Sequence, residues 1–377
     1  MSDVNLLYTD VEESLRASLR DLLASRCPAD AVIGMYDGDR LVVDPLWRSV
    51  AVDLGLAALL VPEHLGGAGA SAREAAVVLE ELGRAVAPVP FLTSSVLATA
   101  VLRGGAVHGE DRELPSAAAA QLLTALASGD RTAALAVPFA ASRTSVRSAA
   151  GRVGGGLAGR ITSVAGALEA DVLLVPVEVV GGLEVHAVET SEVTVEPVVS
   201  LDMSRELADV SFDEAPSLLV LPAEDGEAAV RGALDVAAAL LASEQVGLAQ
   251  WCLEATVAYL KERRQFGRVV GGFQALKHRL ADLFTLVEQA RAAARYAAAT
   301  LAEGDPDAEV AAHVAQAYCA DVAVRAAEEC VQLHGGLGMT WEHPAHLYLK
   351  RAKADQVGLG SPAGHRARLG ELVDLPV

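Results

Sequence analysis

The sequence has no Cys-x-x-C pair, no uninterrupted apolar run of membrane-spanning length, no basic-then-apolar N-terminus and no surplus of positive charge. Each absence removes a class of protein. Cys27, Cys252, Cys319 and Cys330 lack the spacing of a zinc site or a redox motif. Three of them sit in strongly helical stretches, as small buried thiols of a reducing cytoplasm do. Without some 20 consecutive apolar residues, no membrane span is expected. The opening Met1-Ser2-Asp3 lacks the two regions of a signal peptide, so the expected location is cytoplasmic. A formal net charge of -20 argues against nucleic acid and anionic membranes as main partners, yet leaves room for a local phosphate site.

What is present is length and helix-forming composition. The 377 residues suffice for two or three domains, and much of the 52% hydrophobic content is alanine. Residues 1–130 read as helices. One runs over Asp10–Ser25 with Leu15, Leu19, Leu22 and Leu23 on one side, and a second over Pro45–Leu54. Ser71 with Glu74 forms a capping box for a helix that ends near Gly83. Residues 131–222 change texture. Short β-branched runs such as Asp171–Val179, Leu183–Val188, Ser191–Val195 and Val210–Phe212 alternate with turns, which predicts antiparallel strands. Residues 223–377 return to long helices, from about Gly226 to Arg264, Phe273 to Ala302, and onward to His334, with Asp305 as N-cap and Pro306 at the first helical position. A shorter helix follows Pro344. The expected fold is α+β: a helical domain, a small antiparallel β domain, and a C-terminal four-helix bundle.

Two stretches could carry chemistry. Tyr259–Arg268 ends the first long helix, where basic residues complement the helix dipole or form an arginine fork for a diphosphate. Gly267 allows a sharp turn there, and Phe266 could pack on an adenosine. The second stretch, Gln332-Leu-His-Gly-Gly-Leu-Gly338, is a helix C-cap or a close backbone approach to a ligand. Neither element is specific by itself.

In combination these motifs resemble the acyl-CoA dehydrogenase family. The resemblance rests on Arg263-x-Gln-Phe-Gly, Phe273-Gln274, His278-x-x-Ala-Asp282 and Gln332-x-x-Gly-Gly-x-Gly, together with Pro62-Glu-x-x-Gly-Gly-x-Gly69 and Glu80-Glu-Leu-Gly83. It covers nearly the whole chain and includes the helix–strand–helix order. Glu342–Arg351 is similar to short actinobacterial paralogs that form mixed α2β2 tetramers. The resemblance implies FAD as cofactor, α,β-desaturation of an acyl-CoA in lipid metabolism, and an electron-transfer flavoprotein as partner. It also implies that Arg263, Gln265, Phe266, Gln274, Gln332, Gly335 and Gly336 hold the FAD diphosphate and adenosine, commonly those of a neighbouring subunit. A homo- or hetero-oligomer with a related chain is then expected.

The sequence departs from the family at the other end of the flavin. The loop expected to wrap the flavin reads Ala136–Thr144, without acid or glycine. On the next strand only Thr162 or Ser163 could substitute for the family's motif. The C-terminal segment that carries a catalytic glutamate in many members is here Val357–Gly364, and the alternative base position on the first bundle helix is Ala237. One acid on that helix remains attractive: Glu244, between Leu241 and Leu248 on the apolar stripe. It is the candidate catalytic base, or else a structural acid paired with an arginine. His343 and His346 lack a third ligand, so no metal is expected. Two functions stay open: an FAD-dependent acyl-CoA dehydrogenase, alone or in a mixed complex, and a non-catalytic subunit that completes the FAD site of a sister chain.

Overall fold

The computed structural model describes residues 5–108, 116–146, 148 and 150–375. Met1-Ser2-Asp3, on which the signal-peptide expectation rests, lies outside the described residues.

Helix α1 (Asp10–Arg26) begins at a capping box, in which Glu12 N donates to Thr9 Oγ1 and Thr9 N to the Glu12 carboxylate. Short helices α2 (Ala29–Gly34) and α3 (Val43–Arg48) follow, and α3 runs on into a π-helical turn over Ser49–Asp53. Helix α4 (Ala72–Arg84) opens on the Ser71–Glu74 capping box predicted from sequence. A π-helical stretch leads into α5 (Thr99–Leu102), and α6 (Ala117–Ala127) closes the first helical region.

One sheet of eight strands comes next: β1 (Ala133–Leu135), β2 (Ala150–Val153), β3 (Gly156–Ala165), β4 (Val172–Val179), β5 (Gly182–Glu189), β6 (Thr194–Val198), β7 (Leu207–Ala215) and β8 (Leu218–Leu221). The order is β6-β7-β3-β2-β4-β5-β8, with β1 beside β4. Most pairs are antiparallel, as expected. The exceptions are β1 with β4 and a single β2–β4 pair, Ala150 with Val177, both parallel. For β1 the β2–β3 hairpin acts as the long crossover that parallel neighbours require.

Helices α7 (Ala223–Glu262), α8 (Gln274–Glu303) and α9 (Ala308–His334) form the C-terminal bundle, joined by α10 (Ala345–Val357) and a further helix, α11 (Pro362–Leu372). At 1.5 Å per residue α7 is about 60 Å long. It is long and apolar enough to cross a membrane, but 89% of its most apolar window is buried inside the fold. The start of α9 differs from expectation. Asp305 Oδ1 accepts from Asp307 N, so Asp305 caps a preceding turn, and the helix begins two residues beyond Pro306.

Helix α4 crosses α7 at a pair of glycines. A Cβ on Gly83 would lie 2.2 Å from the Glu244 carbonyl oxygen, and one on Gly247 would lie 1.9 Å from the Glu80 carbonyl oxygen. Glycine on both helices allows the backbones to touch, which fixes the N-terminal helices on the bundle and sets the depth of Glu244.

Candidate functional site

Helix α7 stops at Glu262, two residues earlier than its sequence pattern suggests. The chain then folds into a small hairpin, β9 (Arg264–Gln265) against β10 (Arg268–Val269). Its two turn residues, Phe266 (φ 52°) and Gly267 (φ 70°), both have positive φ, as a two-residue type I′ turn demands. Gly267 adopts this conformation freely. Phe266 does not, and backbone strain of this kind costs on the order of 1–3 kcal/mol and concentrates at functional sites. The ring it holds out is 87% exposed. Behind the turn, Phe266 packs edge-on to Phe273, and the Arg268 guanidinium sits 4.1 Å from the Phe273 ring while donating to the Gly272 carbonyl.

Beside the hairpin lies a cavity of about 630 Å³. Arg263, Gln265, Gln332, Gly335 and Gly336 line it, with Tyr259, Arg279 and His334. Five of the seven sequence candidates therefore meet in one place. Phe266 and Gln274 lie outside the lining, at the hairpin tip and the start of α8. Gly335, with φ 61° and ψ -137°, adopts a conformation that a side chain would oppose. Among the described residues Arg263 has no carboxylate partner. Arg279 is paired with Glu329 at 2.6 Å. His334 stacks on Tyr259 at 4.5 Å. Burial works against the His334 charge, but its bonds to Cys330 outweigh it and raise the pKa. Exposed arginines, glycine backbone and an aromatic wall suit a diphosphate joined to an adenosine.

The centre of the chain is built differently. Asp202, Ser204 and Arg205, between β6 and β7, meet Glu244 of α7 and Arg351 and Asp355 of α10. Arg205 Nη2 donates to both oxygens of Glu244 at 2.7 and 2.6 Å, and Arg351 Nη1 donates to Glu244 Oε1 at 2.6 Å. Arg351 also donates through Nε to Asp202 and through Nη2 to Ser204 Oγ at 2.9 Å. Arg205 Nη1 bonds Asp355. Two guanidinium groups thus face three carboxyl groups, with Arg351 only 2% exposed. Burial pushes Asp355 up to about 8, and the Glu244 charge adds to this against the pull of Arg205. With Asp355 protonated the network is electrically neutral.

That proton gives a pH dependence. The Asp355 carboxyl is raised above its unfolded value near 3.9, so between about 4 and 8 this group keeps a proton in the folded chain that it has lost in the unfolded chain. The Asp355 contribution to stability is full below pH 4 and is lost as pH rises to 8. Urea unfolding at pH 5 and pH 8 is expected to show a larger fall for the native chain than for Asp355→Asn. Equal falls would remove Asp355 as the source.

The segments that depart from the family pattern close on one another. Phe139 N donates to the Ser163 carbonyl at 2.9 Å, and Leu359 N donates to the Phe139 carbonyl at 2.8 Å. The Phe139 ring packs on Gly358, with the Arg205 guanidinium 5.3 Å from its centre. Ser163 lies at an irregularity of β3 with φ 57°, and its N–H is taken by Asp209, so its backbone is committed within the sheet. A cavity next to Ser204, Arg205 and Arg351 measures about 20 Å³, room for roughly one water. These residues do not fit an isoalloxazine ring and a thioester. Both oxygens of Glu244 accept from arginine, the pairing expected of the structural acid that was the second role weighed from sequence. His343 and His346 likewise serve packing, against His334 and Trp341.

Nothing in the sequence marks Arg205, which is an isolated cation between strands. Arg351 and Asp355 had a readable sign: they stand four apart and face inward on a helix that also carries exposed charge. Tyr259, Arg279 and His334 join the cavity through helical spacing that becomes visible only once α7, α8 and α9 are packed.

Family models match both helical regions: "Acyl-CoA dehydrogenase, N-terminal domain" over residues 9–121 and "Acyl-CoA dehydrogenase, C-terminal domain" over residues 224–373. The chain is 34% identical over 350 residues to acyl-CoA dehydrogenase IpdE2 of Mycobacterium tuberculosis, covering 93% of each protein. Among solved structures it is similar to a variant of the Tcur3481-Tcur3483 steroid ACAD (29% identity, TM-score 0.82, 97% of this chain and 98% of that one). It is also similar to the ChsE4-ChsE5 complex from Mycobacterium tuberculosis (27% identity, TM-score 0.83, 99% and 100%).

Proposed function

Because the chain belongs to the acyl-CoA dehydrogenase family, oxidoreductases acting on CH–CH bonds, we propose that it works as one subunit of a mixed acyl-CoA dehydrogenase and completes the FAD site of a sister chain. The observation that carries this is the contrast between its two ends. The adenosine-side cavity is open at about 630 Å³ with Arg263 lacking a carboxylate partner among the described residues, while the centre is crossed by ion pairs beside about 20 Å³ of space. Arg263 and Gln265 would hold the diphosphate, Gln332 would bond through its amide, and the Gly335–Gly336 backbone would lie against the adenosine. Phe266, held out from the surface, would pack across the interface. FAD, when bound, supplies the hydride acceptor for α,β-desaturation. In this reading the base and the acyl-CoA site belong to the sister chain, and electrons pass on to an electron-transfer flavoprotein. The likeness to a steroid ACAD makes a steroid-derived acyl-CoA the first substrate to test.

The visible spectrum tests the proposal. Purified alone, the chain is expected to be colourless. Co-expressed with a flavin-binding acyl-CoA dehydrogenase chain from its own genome, it is expected to yield a yellow complex that an acyl-CoA bleaches. Arg263→Ala in that complex removes charge-assisted bonds worth about 1.5–3 kcal/mol each, so FAD affinity should fall roughly 10- to 100-fold. Glu244→Gln, once folded into the complex, should leave turnover intact. A chain that is yellow alone and bleached by an acyl-CoA would overturn the proposal.

A further inference from the structure

Of the four cysteines, two are tied to backbone. Cys27 Sγ donates to the Ala85 carbonyl at 3.9 Å, and Cys319 Sγ donates to the Ala290 carbonyl at 3.3 Å. Burial pushes the Cys27 thiol up to about 12 and raises Cys319 as well. Neutral, buried thiols of this kind are inert. Cys252 of α7 and Cys330 of α9 differ. Both are fully buried, and their side chains hydrogen-bond each other across the packed helices. Because they come from different helices, no Cys-x-x-Cys spacing announces the pair.

Cys330 is also set against a histidine. His334 Nδ1 donates to the Cys330 carbonyl at 2.7 Å and lies 3.6 Å from the Cys330 sulfur. The Thr256 hydroxyl contacts the same sulfur. The bond from Cys252, with help from His334, holds Cys330 well below the usual thiol range against the effect of burial. Burial holds Cys252 well above that range. A thiolate in contact with a neutral thiol is the arrangement of an attacking and a resolving cysteine. His334 stacks on Tyr259, and both rings line the cavity of about 630 Å³. The pair therefore lies one side chain beneath a space far larger than a peroxide molecule.

We propose that Cys252 and Cys330 are a peroxide-sensitive dithiol that closes to a disulfide between α7 and α9. The Cys330 sulfur attacks one oxygen of hydrogen peroxide, and the O–O bond breaks. The departing hydroxide leaves as water with the thiol's proton. The Cys252 sulfur then attacks the sulfenic acid on Cys330, and its proton leaves with the sulfenic hydroxyl as a second water. Each sulfur loses one electron, and the peroxide gains both. A dithiol reductant reverses the bond by exchange. The new bond draws the Cys330 sulfur onto Cys252 and away from His334, which loosens the ring that walls the cavity.

The test treats the isolated full chain with hydrogen peroxide, counts thiols after unfolding and maps the peptides. The native chain is expected to lose two of its four thiols, to yield a linked Cys252–Cys330 peptide, and to recover both thiols with dithiothreitol. Cys252→Ala removes the resolving thiol, so dimedone should trap a sulfenic acid on Cys330. Cys330→Ala should leave Cys252 unreacted. His334→Phe keeps a ring against Tyr259 but removes the N–H beside the sulfur. It should slow oxidation at least ~10-fold, the scale of one hydrogen bond to a charged group, with a wider gap at pH 6 than at pH 8. A rate and pH profile unchanged in His334→Phe would overturn the assignment of Cys330 as the attacking thiolate. Four thiols surviving treatment, or Cys27 or Cys319 reacting as fast as the pair, would overturn the dithiol itself. Only the isolated chain is used, so neither result bears on the mixed-complex reading.

Discussion

Replacing Arg351 with methionine is expected to lower the unfolding free energy by about 3–5 kcal/mol, the cost of breaking a buried ion pair from one side. Arg351 binds Asp202 and Glu244 together, and all three are buried. Methionine fills much the same volume, so packing is largely kept and the loss reports Asp202 left without a cation partner and Glu244 left with Arg205 alone. A triple variant, Arg351→Met with Asp202→Asn and Glu244→Gln, should regain most of the loss, because polar amides cost far less to bury than unpaired charges. Urea titrations of the single and triple variants decide the matter. A single-variant loss under about 1 kcal/mol would mean that water or rearrangement compensates the charges. The network joins the segment between β6 and β7 to α7 and α10, so Arg351→Met should also loosen the sheet from the bundle. Hydrogen exchange of β7 amides would report this.

Gly247→Ala is expected to destabilise by about 3 kcal/mol or more, at the upper end of overpacking effects. The added Cβ would lie 1.9 Å from the Glu80 carbonyl oxygen, and backbone cannot move aside as a flexible side chain can. The expectation is sharp because helix propensity predicts the opposite sign. Inside a 40-residue helix, glycine to alanine should stabilise by about 1 kcal/mol when nothing obstructs the methyl. A raised melting temperature would show that α4 does not press on α7. The same opposition holds for Gly83→Ala, whose Cβ would meet the Glu244 carbonyl at 2.2 Å. If both substitutions separate the helices, the double variant should cost less than the sum of the singles, since the first has already opened the crossing.

Much of the fold was legible because it rests on local rules. Thr9 with Glu12 and Ser71 with Glu74 cap helices through bonds spanning three residues. The β-branched runs form a sheet, and the Ala-rich stretches form long helices whose small side chains pack closely. Errors arose where one contact overrode a local pattern. The hairpin that ends α7 was hidden because Arg263 and Arg264 continue a helical spacing, and only the positive φ of Phe266 and Gly267 marks the turn. Asp305 looked like a helix cap, yet its carboxylate is spent on a turn before the helix. The parallel pairing of β1 with β4 depends on a crossover that periodicity does not encode.

The proposed cofactor half-site and the closed centre divide in the same way. The sequence by itself offered side chains that could meet a diphosphate: Arg263, Gln332 and the glycine pair through their residue types, and Gln265 through the family resemblance. It also determined that the Ala136–Thr144 and Val357–Gly364 segments contain no acid. Tertiary structure alone decided that Glu244 is taken by two arginines, one 39 residues before it and the other 107 residues after it. It also decided that Phe139 bridges Ser163 and Leu359. The physical reason is range. Capping, turn chemistry and helical faces act over three or four residues, whereas desolvation and charge pairing depend on which distant segments are buried together.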